Sequence, residues 1–402
     1  MIQTNDPSKC CGCLVCSVVC SQKCIVPIED AAGFVMPKVD VSKCVHCGMC
    51  EKECPIQKTY PMPDFTNKSV YGGYSKDADL RSRASSGGMF ETVAQLALAQ
   101  GGSVFGCKFN ENLQLCMQEA TTIDEVQKLT KSKYIQSRCH DMFPIIKQRI
   151  EQQKQVLVCA TPCQIAALKN YLGSLSKMQN LFLMDFICHG VPSQELFDKN
   201  RTYIERKLNG CLKDYKFRCK PSHPTTLHYV CYQYQKDKKS FQKTSFFFED
   251  PFYLGFLKYI TLRDSCYQCP FGKGNHQGDI TVGDLHEAET YWPEVNRYDG
   301  VSKVIINTQK GQELWQQMKL SFHVHQLPQE LACLSGPTSM PPKRNDFIED
   351  LKKLPFEQVI NKWLNPRKEW KKVIYYRLPD LIRIPMKKVC LTIRDFVVRR
   401  KK

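Results

Sequence analysis

The chain has 402 residues, 42% of them hydrophobic and 24% charged; this is the balance of an ordinary globular protein of two or three domains and excludes wholesale disorder, a collagen-like repeat and a coiled coil. Its 23 cysteines are an odd number in a long chain, so a disulfide scaffold is a poor reading and metal or redox chemistry a better one. The formal charge of +17 is lodged mainly at the end, where residues 343–402 carry 18 basic and 7 acidic side chains.

The first residues, Met1 to Asp6, lack the basic and apolar regions of a secretory signal. The longest strongly apolar stretch, Leu181 to Ile187, is interrupted by Asp185 and falls far short of the ~20 residues a membrane helix needs. A cytoplasmic location is therefore expected.

Residues 1–64 form the first expected domain. Cys10, Cys13, Cys16 and Cys20 follow C-x2-C-x2-C-x3-C, and Cys44, Cys47, Cys50 and Cys54 repeat it with Pro55 behind the last. This is the bacterial ferredoxin spacing, in which the fourth cysteine of each run ligates the other cluster. One [4Fe–4S] cluster is accordingly assigned to Cys10, Cys13, Cys16 and Cys54, and a second to Cys44, Cys47, Cys50 and Cys20. Gly12 and Gly48 suit the sharp turns that wrap thiolates round a cube. Zinc is the alternative for paired C-x2-C motifs, but three tandem cysteines and a fourth fit a cube better. Cys11 and Cys24 are surplus to the motif and read as structural.

A Pro-rich polar stretch from Tyr60 to Lys68 marks a boundary. Beyond it, 71–325 reads as a second domain of alternating strands and helices. Met89 to Gln100 is an expected helix, Ser103 to Phe109 a strand, Asp141 to Gln153 a helix and Gln155 to Thr161 a buried strand. Pro162 to Leu172 and Ser193 to Leu208 are expected helices flanking a strand from Asn180 to Cys188. This order predicts a partly parallel sheet covered by helices.

Ser85-Ser86-Gly87-Gly88 leads into the first of these helices, where free N–H groups and small residues make an anion site; the alternative is a plain N-cap on Ser85 or Ser86. Cys163 and Cys188 each lie just past a predicted buried strand, at the edge where open α/β sheets bind ligands. With Cys266 and Cys269, a C-x2-C on a loop, they make four thiolates, the set for a third cluster; otherwise they are small buried hydrophobes. His189 either relays a proton or hydrogen-bonds a loop. Asp284 ends a strand and contacts a ligand or caps the next helix.

Further along, Tyr215 to Arg218, Leu227 to Gln235 and Ser240 to Phe248 are expected antiparallel strands. Residues 251–262 read as a helix, Asp279 to Leu285 and Val301 to Asn307 as strands, and Lys310 to Leu320 as a helix. Residues 343–402 form a third region of basic, amphipathic, Pro-punctuated helices. Their apolar stripe either packs on the catalytic domain or makes weak peripheral contact with the anionic inner face of a membrane. The tail lacks the interleaved aromatics of a stacking module, so no nucleic-acid partner is expected.

Several of these pieces, in order, resemble the beta subunit of coenzyme F-420 hydrogenase/dehydrogenase over roughly residues 8–320. They are Ser85 to Gly88, Lys133 to Ser137, Thr161 to Gln164, Cys188 to Pro192, Cys266 to Cys269 and Asp279 to Asp284. The resemblance implies the third [4Fe–4S] cluster, an FAD whose pyrophosphate sits on Ser85, Ser86, Gly87 and Gly88, and further flavin contacts from Lys133, Tyr134, Ser137, Thr161 and Asp284. It also implies a deazaflavin or similar small-molecule redox substrate and a protein that donates or accepts electrons. The expected fold is mixed α/β: a small two-cluster domain, a larger flavin domain and a helical tail. The expected function is an iron–sulfur flavoprotein oxidoreductase, the alternative being a non-catalytic electron-transfer subunit serving a partner enzyme.

Overall fold

A computed structural model of the chain describes residues 2, 6–61, 63–65, 68–220, 229–333, 339–371 and 374. The cysteine-rich region is closed by an antiparallel hairpin of β1 (Ile25–Glu29) and β2 (Val35–Val39). Its turn is built by Asp30, whose carboxylate accepts the N–H groups of Ala32 at 2.8 Å and Phe34 at 3.0 Å. Sequence patterning did not reveal this hairpin, because Pro27 and Pro37 face each other in it and proline argues against a strand away from edges.

Next come β3 (Ser69–Ser75), a helix at Met89–Ala99, β4 (Ser103–Phe109) and β5 (Leu115–Ala120). A helix at Phe143–Glu151 leads to β6 (Val156–Ala160), and a helix at Pro162–Leu172 to β7 (Leu181–Phe186). After the helix Gln194–Leu208 the chain forms β8 (Cys211–Cys219), β9 (Tyr229–Lys236) and β10 (Lys239–Phe246). Then follow β11 (Ile280–Asp284), β12 (Ser302–Ile306), a helix at Gln309–Met318 and β13 (Phe322–Leu327). The helix expected over 251–262 stops at Leu257, and Tyr259 turns the chain at φ 56°.

The strands that follow the first hairpin divide into two sheets. Eight make one mixed sheet in the order β13-β3-β12-β11-β7-β6-β4-β5, which is the mixed α/β fold expected. Its centre, β11, β7, β6 and β4, is parallel, and those strands are apolar runs because helices cover both faces. Val104, Leu157 and Leu181 are at most 1% exposed. The remaining three strands form an antiparallel sheet, β10-β9-β8. Asp237 and Lys238 turn its hairpin with φ 49° and 61°, as a two-residue primed turn requires.

Two helices, Arg344–Lys353 and Phe356–Trp363, pack against this second sheet through Phe347, Leu351, Val359 and Ile360. The start of the basic region therefore buries its apolar stripe on the protein. Residues 375–402, on which the membrane-contact reading chiefly rests, lie outside the described residues, as does Cys390. Among the described residues no helix is long and apolar enough to cross a membrane.

Asp185, the polar interruption noted in the sequence, is fully buried in β7. It accepts the Thr281 hydroxyl and, at 2.7 Å, the Gln277 N–H, tying β7 to the loop that enters β11. Burial raises its carboxyl above the usual range. Asp185→Leu strands both donors and should cost about 1–3 kcal/mol of stability. The check is the urea midpoint: a variant that unfolds with the parent would show that the bridge carries none of the fold.

Candidate functional site

The two cysteine runs fold across each other. Cys44, Cys47 and Cys50 surround one hollow together with Cys20 from the first run. Cys24 joins them, its sulfur 3.4 Å from that of Cys20. On the other side, Cys16 lies within electrostatic reach of Cys10 and Cys54, and Cys13 within reach of Cys16. The fold thus sets Cys20 beside the second run and Cys54 beside the first, with Cys50 also within reach of Cys16 and Cys54. Gly12 and Gly48 both take left-handed backbone, with φ 67° and 74°, and the Gly12 N–H points at the Cys10 sulfur at 3.3 Å.

The first run is fastened to the larger sheet domain by one buried arginine. Arg263, 2% exposed, donates to Cys10 O at 2.6 Å, Val35 O at 3.0 Å and Gln136 Oε1 at 2.8 Å. Gln136 in turn donates to Cys11 O at 3.0 Å. Gly12 permits the approach: a Cβ there would stand 2.2 Å from Gln136 Nε2 and 2.9 Å from Val35 O.

Beside this clamp opens a cavity of about 880 Å³, its mouth included, lined by Cys11, Cys163, Cys188, Cys266 and Cys269. Three segments deliver the four cysteines singled out for a third cluster. β6 ends at Ala160, and Cys163 sits not on the strand's continuation but in the first turn of the helix Pro162–Leu172. There the helix dipole favours a thiolate, and the Thr161 hydroxyl lies 3.2 Å from its sulfur. Cys188 follows β7, with the Gly190 N–H 3.5 Å from its sulfur. Gly190 (φ 106°) is needed because a Cβ would meet Leu262 Cδ1 at 2.7 Å. Cys266 and Cys269 come from the short turn at Asp264–Gln268 and its end.

Gathering these thiols in a buried space makes each hold its proton. Burial, then Cys266 and Cys163, push Cys188 far up; burial and neighbouring sulfurs push Cys266 and Cys269 up to about 12. Cys163 is raised by its contact with the Cys11 thiol and by burial. Bound irons reverse this balance, since a coordinating thiol is deprotonated outright. Four converging soft donors, neutral as thiols and mutually repelling as thiolates, have the chemistry of a cluster site.

Ser137, Thr161 and His189 line the same cavity. Ser85 to Gly88 are not among the residues that line it; they lie against β3 and the start of β12. The helix they precede is capped by Gly88 in left-handed backbone with no side-chain bond, so neither serine is its N-cap. Instead Ser85 Oγ accepts the Ser132 N–H at 2.8 Å, Ser86 Oγ donates to Val301 O at 2.9 Å, and the Gly87 N–H reaches Ser302 Oγ at 2.9 Å. Gly87 is obligatory: a Cβ would stand 2.3 Å from Gly73 O.

Cations crowd this turn. Lys220 Nζ donates to Ser86 O at 2.8 Å and to Arg81 O, and burial with Arg81 and Arg218 brings it down to about 7. Asp284 does not cap a helix; it pairs with Arg218 at 2.5 Å. Burial would raise its carboxyl, but that guanidinium holds it below the usual range. Arg81 and Arg218 each bury one nitrogen that makes no hydrogen bond. The unspent nitrogens of Arg81 and Arg218 fit an anionic cofactor group, whereas the hydroxyls of Ser85 and Ser86 and the Gly87 N–H are already spent on the protein.

Lys133 and Tyr134 are placed differently. The Lys133 ammonium donates to Leu129 O, Thr130 O and Lys131 O, so its three protons close the preceding helix, and burial lowers it to about 8. Tyr134 packs among Phe217, Tyr253 and Phe256. Arg263, Gln136, Arg218 and Lys220 were not legible as site residues, because what they bind lies far away in sequence. Cys11 gave no sign of differing from Cys24.

Residues 153–329 match the family model for the C-terminal part of the coenzyme F420 hydrogenase/dehydrogenase beta subunit. That segment belongs to this family. Residues 37–57 match the 4Fe-4S binding domain. The segment of the first match contains Cys163, Cys188, Cys266, Cys269 and Asp284, whereas Ser85 to Gly88 and Lys133 to Ser137 precede it. Among solved structures, a chain of the F420-reducing [NiFe] hydrogenase complex from Methanosarcina barkeri, studied by xenon derivatization, is similar at 14% identity, with a TM-score of 0.43; the match covers 75% of this chain and 95% of that one. A search of curated proteins gave no match.

Proposed function

We propose that the chain is an iron–sulfur flavoprotein oxidoreductase that passes electrons between its N-terminal [4Fe–4S] clusters and a flavin. The observation that carries this reading is the meeting of Cys163, Cys188, Cys266 and Cys269, from three separate segments, round one buried cavity at the C-terminal edge of the parallel strands. These residues hold a third cluster, while the crossed groups of residues 10–54 hold the first two. Ser85 to Gly88, with Arg81, Arg218 and Lys220, hold the FAD pyrophosphate. When bound, the clusters supply one-electron steps and the flavin couples them to hydride exchange with an organic substrate or deazaflavin-like carrier. His189, on the cavity wall, is assigned the proton relay. The family name itself speaks of a beta subunit, which supports a protein partner as electron donor or acceptor and keeps a non-catalytic electron-transfer subunit as the second reading.

The test is the anaerobically reconstituted full chain. About 12 irons and one extractable flavin are expected, with turnover of a redox substrate in the absence of a partner. Irons without flavin, or flavin without turnover, would favour the second reading. Arg81→Gln, which removes one of the unspent cationic donors, should release the flavin and leave the iron content unchanged. Retention of flavin by that variant would move the pyrophosphate elsewhere.

A further inference from the structure

We infer that the adjacent pair Cys10–Cys11 is the junction at which an electron crosses between the N-terminal clusters and the cavity, so that the first cluster is proximal and the second distal. The inference rests on the three-cluster reading above and adds an order to it. Consecutive thiols here serve two neighbourhoods. Cys10 belongs with Cys16 and Cys54, whereas Cys11 lines the cavity. The Cys11 thiol interacts with Cys13 of the first group on one side and Cys163 of the cavity on the other.

Tyr60 fills the same gap. Its phenol lies within reach of Cys11, Cys54, Cys13 and Cys163. Its hydroxyl donates to Pro55 O at 3.0 Å, and its ring meets Phe271 of the cavity wall at 4.9 Å. Arg263 and Gln136 hold the Cys10 and Cys11 carbonyls, so the spacing is fixed from both sides. The second group has no such bridge among the described residues. Its hollow is walled by residues 20–50, and Cys47 is exposed. That is the placement of an entry point for a low-potential protein donor of single electrons. The internal step moves one electron: the first cluster is oxidised, the cavity cluster is reduced, and no bond or proton changes hands. Cys11 is a positioning residue and not a ligand.

The experiment is electron paramagnetic resonance on the reconstituted full chain reduced with dithionite, alongside iron analysis. The cavity cluster's signal should be split by its neighbour. The splitting should survive Cys47→Ala, which removes the second cluster, and vanish in Cys16→Ala, which removes the first. If Cys16→Ala fails to fold, the less buried Cys10→Ala serves the same purpose. Cys11→Ala should keep about 12 irons and weaken the splitting. Splitting that follows the second cluster would overturn the order. Loss of about four irons in Cys11→Ala, or unchanged splitting there, would overturn the role of its thiol. About eight irons in the unaltered chain would instead remove the cavity cluster, and with it both the proposed function and this inference.

Discussion

Cys163→Ser is expected to lower the iron content of the reconstituted chain from about 12 to about 8 per molecule, whereas Cys211→Ser should leave it unchanged. Neither cysteine belongs to a C-x2-C run. They differ in what surrounds them. Cys163 points into the cavity beside Cys11, Cys188, Cys266 and Cys269. Cys211 is exposed at the start of β8, its sulfur reaching only Leu212 O at 3.8 Å. Loss of the cavity cluster should also stop reduction of bound flavin by way of the N-terminal clusters, although those clusters would still be reduced. Iron analysis and visible absorbance on both variants decide the matter. If the two behave alike, a packing thiol has been mistaken for a ligand.

Arg263→Met is expected to have the second large effect, about 3–5 kcal/mol of lost stability. The methionine fills much of the volume but leaves the carbonyls of Cys10 and Val35 and the Gln136 amide oxygen without their donor. Because Arg263 is 2% exposed, water cannot replace those bonds without opening the joint. Arg263→Lys should recover only part of the loss, since a compact ammonium lacks the planar fork by which Nε, Nη1 and Nη2 reach acceptors lying in different directions. Residues 1–64 should become the first target of limited proteolysis. The guanidinium also places a positive charge within reach of Cys163 and Cys266, so its removal should shift a cluster bound there to a more negative potential. A methionine variant with the parent's unfolding midpoint and protease pattern would show that the joint is held elsewhere.

What the sequence disclosed and what it concealed have separate physical causes. The parallel centre of the sheet was legible because both faces of β6 and β7 are covered, which leaves unbroken apolar runs such as Val156 to Val158. The helix Pro162–Leu172 was legible from its Pro start and its apolar spacing. β5 and β13 were not, being edge strands whose partners lie on one side only; in β13 Phe322 and Val324 alternate with His323 and His325 for too few residues to stand out. In the site, cysteine spacing carried the N-terminal groups, and the strand-end rule with the family resemblance carried the cavity four. The clamp was invisible, since an arginine that binds backbone carbonyls some 230 to 250 positions away leaves no local pattern. Lys133, to which the resemblance gave a flavin contact, is half-buried with its protons spent on the chain beside it.

The cavity wall is not made by the sheet domain alone. Cys11 and Ile56 complete it from the N-terminal region, and Gly12 lets that region seat with no gap. If the cavity holds the proposed third cluster, biogenesis faces a problem of timing. Before the region seats, the cavity stands open to whatever scaffold delivers iron and sulfide; afterwards only the remaining mouth is left. Cofactor loading and docking compete for the same surface. A chain made faster than its clusters are supplied would close over empty thiols and accumulate as a folded, partly loaded form, while scarcity of iron would be registered first in the innermost site.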